Sequence, residues 1–154
     1  MQGCPGSRMQ SFEKRDSGTT EDITGKRPSE LRQWPIQMHL VSPQAPYFEK
    51  SDVLLAADCV PFALADFHRD HLKGNTLAIA CPKLDSGQEI YIEKIRALVD
   101  EARINTLTAM IMQVPCCSGL LAIAKQGLER AERKIPLKVV VVSLQGEVLS
   151  EQWA

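Results

Sequence analysis

The sequence predicts one α/β domain built on a mainly parallel sheet of about five strands flanked by helices. From Trp34 onward, short apolar runs alternate with amphipathic segments, which is the pattern of βα units around a parallel sheet. Several of these runs are apolar on successive residues, as expected for strands covered on both faces. A chain of 154 residues is long enough to bury one such core. The expected arrangement has three layers, as in Rossmann-like and flavodoxin-like domains.

The elements follow from local patterns along the chain. Apolar runs predict strands at 36–41, 53–57, 76–80, 106–114 and 137–143. Apolar residues at helical spacing predict helices at 61–72, 86–103 and 118–134. Asp85 and Gln88 have the spacing of a capping box at the start of the second helix, and Gly74 is a candidate C-cap for the first.

Residues 1–33 are predicted to be a flexible N-terminal tail or linker preceding the α/β domain at 34–154. This segment is rich in Gly, Ser, Thr, Arg and Glu, and its few apolar side chains build no periodic face. It includes Cys4 within Gly-Cys-Pro-Gly-Ser at 3–7, a composition that favours a turn with the thiol near the surface.

Charge and hydropathy exclude several classes of function. With 18 basic and 19 acidic residues the net charge is -1, which gives no broad positive field for nucleic acid or an anionic membrane. No run approaches the roughly 20 apolar residues that span a bilayer, and the N-terminus lacks a signal-peptide core, so a cytoplasmic location is expected. Five cysteines in such a compartment leave metal binding, thiol chemistry or simple burial as alternatives to disulfides.

Cysteines follow three of the predicted strands. Cys81 comes directly after one predicted strand, Cys59 lies two residues after another, and Cys116 and Cys117 follow a third. Because the carboxyl ends of parallel strands share one edge, these thiols are expected to lie near one another. Four thiolates suit zinc or an iron–sulfur cluster, since soft sulfur ligands stabilise those metals. No C-x-x-C pair is present.

Each of these cysteines also precedes a predicted helix, whose N-terminal amides favour an anion. Cys117-Ser118-Gly119 is the sharpest case, because a small turn allows close backbone approach to a thiolate or a phosphate. Lys83 follows Cys81 and is a candidate to stabilise a bound anion. Against this, a cysteine after an apolar strand is often only a small buried hydrophobe.

Two histidines offer a weaker metal signal. His68 and His71 are one helical turn apart, but Asp66, Arg69 and Asp70 around them indicate a solvated helix face. The solvated face is the favoured interpretation.

Longer strings resemble one protein family. They are GCPGS at 3–7, RQWPIQMHLVSPQAPYF at 32–48, LAADCVPFA at 55–63, FHRDHLKG at 67–74, ACPKLD at 80–85 and VPCCSGL at 114–120. Together they resemble the C-terminal region of a bacterial and archaeal family of 4Fe-4S ferredoxin-type, iron–sulfur cluster-binding proteins. Members usually carry an N-terminal ferredoxin-like segment with clustered cysteine ligands, and this sequence starts at the GCPGS element.

The resemblance implies a 4Fe-4S cluster and, as partner, a redox protein or a ferredoxin-like segment. The cysteines in matching motifs, and therefore the implied metal ligands, are Cys4, Cys59, Cys81, Cys116 and Cys117. Ser118 departs from the family, which more often has glycine at that position of the turn.

Three functions remain after the sequence has been considered. The leading hypothesis is an iron–sulfur or other metal-binding module for electron transfer or partner docking. The second is a thiol-dependent enzyme with Cys117 as nucleophile, assisted by Lys83 or His68. The third is a noncatalytic interaction domain whose cysteines are merely buried.

Overall fold

The computed structural model of the chain describes residues 5–12 and 25–154. The strands are β1 Gln10–Ser11, β2 Gln33–Trp34, β3 Asp52–Ala57, β4 Thr76–Ala80, β5 Thr106–Met112, β6 Leu137–Val142 and β7 Val148–Trp153. The helices are α1 Val60–Ala63, α2 Gln88–Asp100 and α3 Ser118–Arg130, joined by 3-10 turns at Pro5–Ser7, Pro46–Phe48 and Pro115–Cys117 and by a π-helical turn at His68–Leu72.

The main sheet has five strands in the order β4-β3-β5-β6-β7. The first four strands in that order are parallel, and β7 pairs antiparallel with β6 at the edge. Side chains of β3 from Val53 to Ala57 are all buried, as the run of consecutive apolar residues predicts for a central strand. The predicted α/β class with a mostly parallel sheet is confirmed.

The strand order creates a topological switch point between β3 and β5. From β3 the chain moves outward to β4, and it then returns past β3 to β5 and continues to β6. Connections on either side of this point leave in opposite directions, and in open α/β sheets ligands bind outside the carboxyl ends of the strands at such a point.

The two long helices pack against each other. Gly127 of α3 lies so close to α2 that an added Cβ would meet Ile95 Cγ2 at 2.5 Å and the Ile92 carbonyl oxygen at 3.1 Å. Only a glycine permits this separation.

Within the described part of the chain, no helix has the length and apolar character needed to cross a membrane.

The predicted first strand at 36–41 is wrong. Only Gln37 pairs with the sheet, through a single parallel bridge to Ile79. The chain then turns, because the N–H groups of Leu40 and Val41 donate back to the Gln37 carbonyl oxygen. The fifth strand is instead β7, whose side chains are mostly exposed and therefore form no apolar run.

All three helix predictions differ from the structure in their bounds. The segment predicted as one helix at 61–72 is split into α1 and the π-helical turn, separated by Leu64 in an extended conformation. Asp85 does not cap the second helix: α2 begins at Gln88 after Gly87, which has φ 71°. The third helix starts at Ser118 as predicted and ends at Arg130.

Part of the predicted tail contacts the domain. β1 pairs with β2, and Trp34 Nε1 donates to the Gly6 carbonyl oxygen at 2.7 Å. The buried Gln33 side chain forms hydrogen bonds with both the N–H and the carbonyl oxygen of Leu77 in β4. The division at residue 33 between tail and domain stays a prediction.

Candidate thiol site at the carboxyl edge of the sheet

Three cysteines lie at the switch point. Cys59 lies two residues after the end of β3 and immediately before α1, and its side chain is exposed. Cys116 and Cys117 occupy the turn between β5 and α3; Cys116 is exposed, whereas Cys117 is buried. The thiols therefore come from the ends of two neighbouring strands, as the parallel-sheet argument predicts.

Burial dominates the protonation of Cys117. Desolvation raises the pKa of this thiol, and the neighbouring Cys116 and Cys59 raise it further, through a hydrogen bond with Cys116 and through their charges. A backbone hydrogen bond from Met112 acts in the opposite direction. The N-terminus of α3 favours a thiolate, but the net direction is upward, so Cys117 is held as the neutral thiol.

Cys81 lies one strand further out, at the end of β4. It is half-buried, and its backbone N–H donates to Asp85 Oδ2 at 3.0 Å. Its loop nevertheless packs closely against the start of α3, since a Cβ on Gly119 would lie 3.1 Å from Pro82 Cβ.

Ser118, Lys83 and Cys4 were also predicted to belong to the site. The Ser118 hydroxyl donates to the Pro115 carbonyl oxygen at 2.7 Å and stabilises the cysteine-bearing turn. Lys83 is exposed in the loop after Cys81. Cys4 lies outside the described residues.

The two histidines are associated with a different region. His68 Nδ1 accepts a hydrogen bond from the Glu30 N–H, and both imidazole rings pack near Phe67. His68 and Arg27 line the same cavity, and none of the described cysteines belongs to that lining.

An acidic pair accompanies the thiols. Asp58, next to Cys59, has a buried Oδ1 with no hydrogen-bond partner among the described residues. Burial raises the pKa of Asp58, and the charge of Asp85 raises it further. An orphaned carboxylate oxygen beside a cysteine is a free acceptor for a cation or a donor group.

Asp85 has the opposite environment. Its Oδ2 accepts hydrogen bonds from Tyr91 Oη at 2.6 Å, Gln37 Nε2 at 3.2 Å and the Cys81 N–H at 3.0 Å. Burial opposes ionisation, but these donors together lower the pKa of Asp85. Asp85 therefore ionises more readily than Asp58, and its hydrogen bonds fix the loop between β4 and α2.

Sequence reasoning missed this network. The capping pattern predicted that Asp85 begins the second helix, and nothing in the pattern indicated a bond from Tyr91. The position of Asp58, between the end of a predicted strand and Cys59, was the feature of the sequence that could have indicated a site residue.

The donor set can be compared with what a metal requires. Thiolates from Cys59, Cys116 and Cys117 are suitable ligands for zinc or an iron–sulfur centre. Within residues 5–12 and 25–154, however, no group of three or more Cys, His, Asp or Glu side chains has the geometry to hold a metal ion. The described cysteines are thus suitable metal ligands by type, but their side chains are not arranged to coordinate one metal ion together.

Comparison with known proteins places the chain in a family. An uncharacterized protein of Archaeoglobus fulgidus is 29% identical over 119 residues, which cover 77% of this chain and 83% of the relative. No solved structure matches. The family model described as a Rossmann-like domain matches residues 45–154, from the turn before β3 to the end of β7. The chain therefore belongs to the Rossmann-like domain family.

Proposed function

We propose that this domain is a thiolate-based metal-binding module in redox metabolism, with an iron–sulfur cluster as the first candidate for the bound centre. The observation that carries the proposal is the meeting of Cys59, Cys116 and Cys117 at the switch point of the sheet. In open α/β sheets this crevice is where ligands bind.

The positions of the thiols support such a role. Cys59 and Cys116 are exposed, so their side chains can change rotamer towards a shared ligand without disrupting the core. Without a cation, thiolates at these positions repel one another, which is part of the reason that the pKa of Cys117 is raised. A bound cation would reverse that effect and favour the thiolate.

Further ligands remain part of the proposal. Cys81 lies in the adjoining loop, and Cys4 belongs to the GCPGS string that the resemblance associates with the cluster. An iron–sulfur centre would supply one-electron redox chemistry. The protein's own contribution is to position the thiols and to exclude part of the solvent through the buried Cys117.

Exposed apolar side chains next to the cysteines support docking of a redox partner. Phe62 in α1 is 92% exposed and Leu84, three residues after Cys81, is 82% exposed. Both lie in connections that follow parallel strands, as the cysteines do. Aromatic side chains such as Phe62 are enriched in the cores of protein interfaces.

The test is purification of the full chain without oxygen, followed by analysis of iron, acid-labile sulfide and zinc. The proposal expects bound metal in stoichiometric amount that is lost in Cys116→Ser and in Cys59→Ser. Ser86→Ala, an exposed change at the same edge, is the control and is expected to retain the metal. A folded protein that binds neither iron–sulfur nor zinc after reconstitution would overturn the proposal.

The two rival functions are less well supported. A nucleophilic cysteine needs a lowered pKa, and the pKa of Cys117 is raised. Simple burial describes Cys117 but not the exposed Cys59 and Cys116.

A further inference from the structure

A second cavity lies away from the cysteine-bearing turn. It has a volume of about 290 Å³ and lies between residues 27–29 and the connection from β3 to β4 at residues 61–69. This is near the lower end of the usual size of small-molecule sites, about 300–1,000 Å³.

One side of the cavity is positively charged. Arg27, Arg69 and Asp66 are the charged side chains that line it, which leaves an excess of one positive charge. Arg27 Nε donates to Asp66 Oδ1 at 2.7 Å, so the one acidic side chain among the described lining residues is already paired with an arginine. Arg69 is exposed and forms no ion pair with any residue that the structure describes.

His68 adds an oriented donor. Its Nδ1 accepts the Glu30 N–H at 3.0 Å, so the neutral ring carries its proton on Nε2. His68 lines the cavity together with Arg27 and Arg69, and Nε2–H is the hydrogen-bond donor that its ring retains.

The other side of the cavity is apolar. Pro61, Leu64 and Phe67 contribute to its lining, and the last two are almost completely buried. Leu64 and Phe67 belong to the hydrophobic core, so the packing around them fixes this side of the cavity. A ligand that satisfies both sides needs an anionic group joined to a compact apolar body.

We infer that this cavity binds a small organic anion, a carboxylate or a phosphate monoester on an aromatic or branched aliphatic group. Arg69 and the Nε2–H of His68 donate to the anion, and the Leu64–Phe67 wall contacts the apolar body. Charge-assisted hydrogen bonds from a guanidinium match the geometry of both kinds of anion. This site does not depend on the metal-binding proposal.

The experiment is a titration of the ¹⁵N-labelled full chain with benzoate, phenyl phosphate and the uncharged benzamide, followed by amide NMR spectra. One of the two anions is expected to cause saturable shifts around residues 64–69, and benzamide is expected to bind at least about tenfold more weakly. The stronger anion then distinguishes a carboxylate ligand from a phosphate ligand.

Arg69→Gln is expected to weaken binding of the preferred anion by about tenfold, as for the loss of one charge-assisted hydrogen bond. Arg103→Gln, a change of another exposed arginine that does not line the cavity, is expected to leave affinity within about twofold of the original. Absence of saturable shifts with both anions, equal binding of benzamide, or unchanged affinity in a folded Arg69→Gln variant would each overturn the inference.

Discussion

Asp58 lies close enough to Asp85 for the two charges to repel each other, yet only Asp85 is surrounded by hydrogen-bond donors. The two carboxyl groups consequently respond to pH in opposite directions. Because the pKa of Asp58 is raised in the folded state, protonated Asp58 favours folding. This stabilisation is lost as the pH increases through the folded-state pKa of Asp58. The lowered pKa of Asp85 makes its contribution fall as pH decreases through the folded-state pKa.

Asp58→Asn is expected to stabilise the metal-free protein at pH 7, because an amide is uncharged. The Asp58 carboxylate, in contrast, is repelled by Asp85, and its buried Oδ1 has no hydrogen-bond partner among the described residues. The gain in the free energy of unfolding is expected to be on the order of 1 kcal/mol. Urea unfolding at pH 7 and pH 4 measures it, and the gain is expected to shrink at pH 4 as the wild-type carboxyl becomes protonated. Asp70→Asn, at an exposed position, is the control. A variant less stable than wild type at pH 7 would contradict this account.

Tyr91→Phe is expected to destabilise the protein by about 1.5–3 kcal/mol, the usual cost of removing a hydrogen bond to a charged group. The pKa of Asp85 is expected to rise at the same time, because one of its three donors is lost. Denaturant unfolding and NMR titration of the Asp85 carboxyl provide the two measurements.

Tyr47→Phe provides a matched control for that experiment. The Tyr47 hydroxyl is also buried, but no described residue gives it a hydrogen-bond partner. Its removal is therefore expected to be neutral or slightly stabilising. Equal losses of stability in the two variants would show that the Asp85 bond has no special role.

The sheet could be predicted from sequence where burial on both faces produces an apolar run. β3, β4, β5 and β6 all have such runs, and each was predicted within a few residues. β7 was missed because an edge strand exposes most of its side chains. The segment after Trp34 was mistaken for a strand because its apolar residues Met38 and Val41 are buried through a turn.

The meeting of Cys59 with Cys116 and Cys117 was predictable from one rule, the shared edge of parallel strands. The network around Asp85 was not, because it joins Gln37, Cys81 and Tyr91 through side-chain geometry. A local capping pattern at Asp85 and Gln88 competed with this network and suggested the wrong partner. Long-range hydrogen bonds of this kind leave no periodic signal in a sequence.

Gly127→Ala is expected to destabilise the protein although alanine favours helices. The added Cβ would overlap Ile95 and approach the Ile92 carbonyl oxygen, so α2 and α3 would have to separate. Overpacking of this kind costs about 1–3 kcal/mol, which outweighs a gain of about 1 kcal/mol in helix propensity. Thermal unfolding measures the loss. Gln126→Ala, at the adjacent exposed position of α3, is expected to be close to neutral, and a neutral Gly127→Ala would contradict the observed helix packing.

The metal-free protein is expected to show ordered alkylation of the three cysteines at the switch point. Cys59 and Cys116 are exposed and are expected to react quickly with iodoacetamide at pH 7.5. Cys117 is expected to react at least about tenfold more slowly, because it is buried and its raised pKa leaves little thiolate. Peptide mass spectrometry over time measures each site separately, and unfolding in urea should make the three rates similar. Cys117 reacting fastest in the folded protein would contradict this order and would favour the nucleophile hypothesis instead.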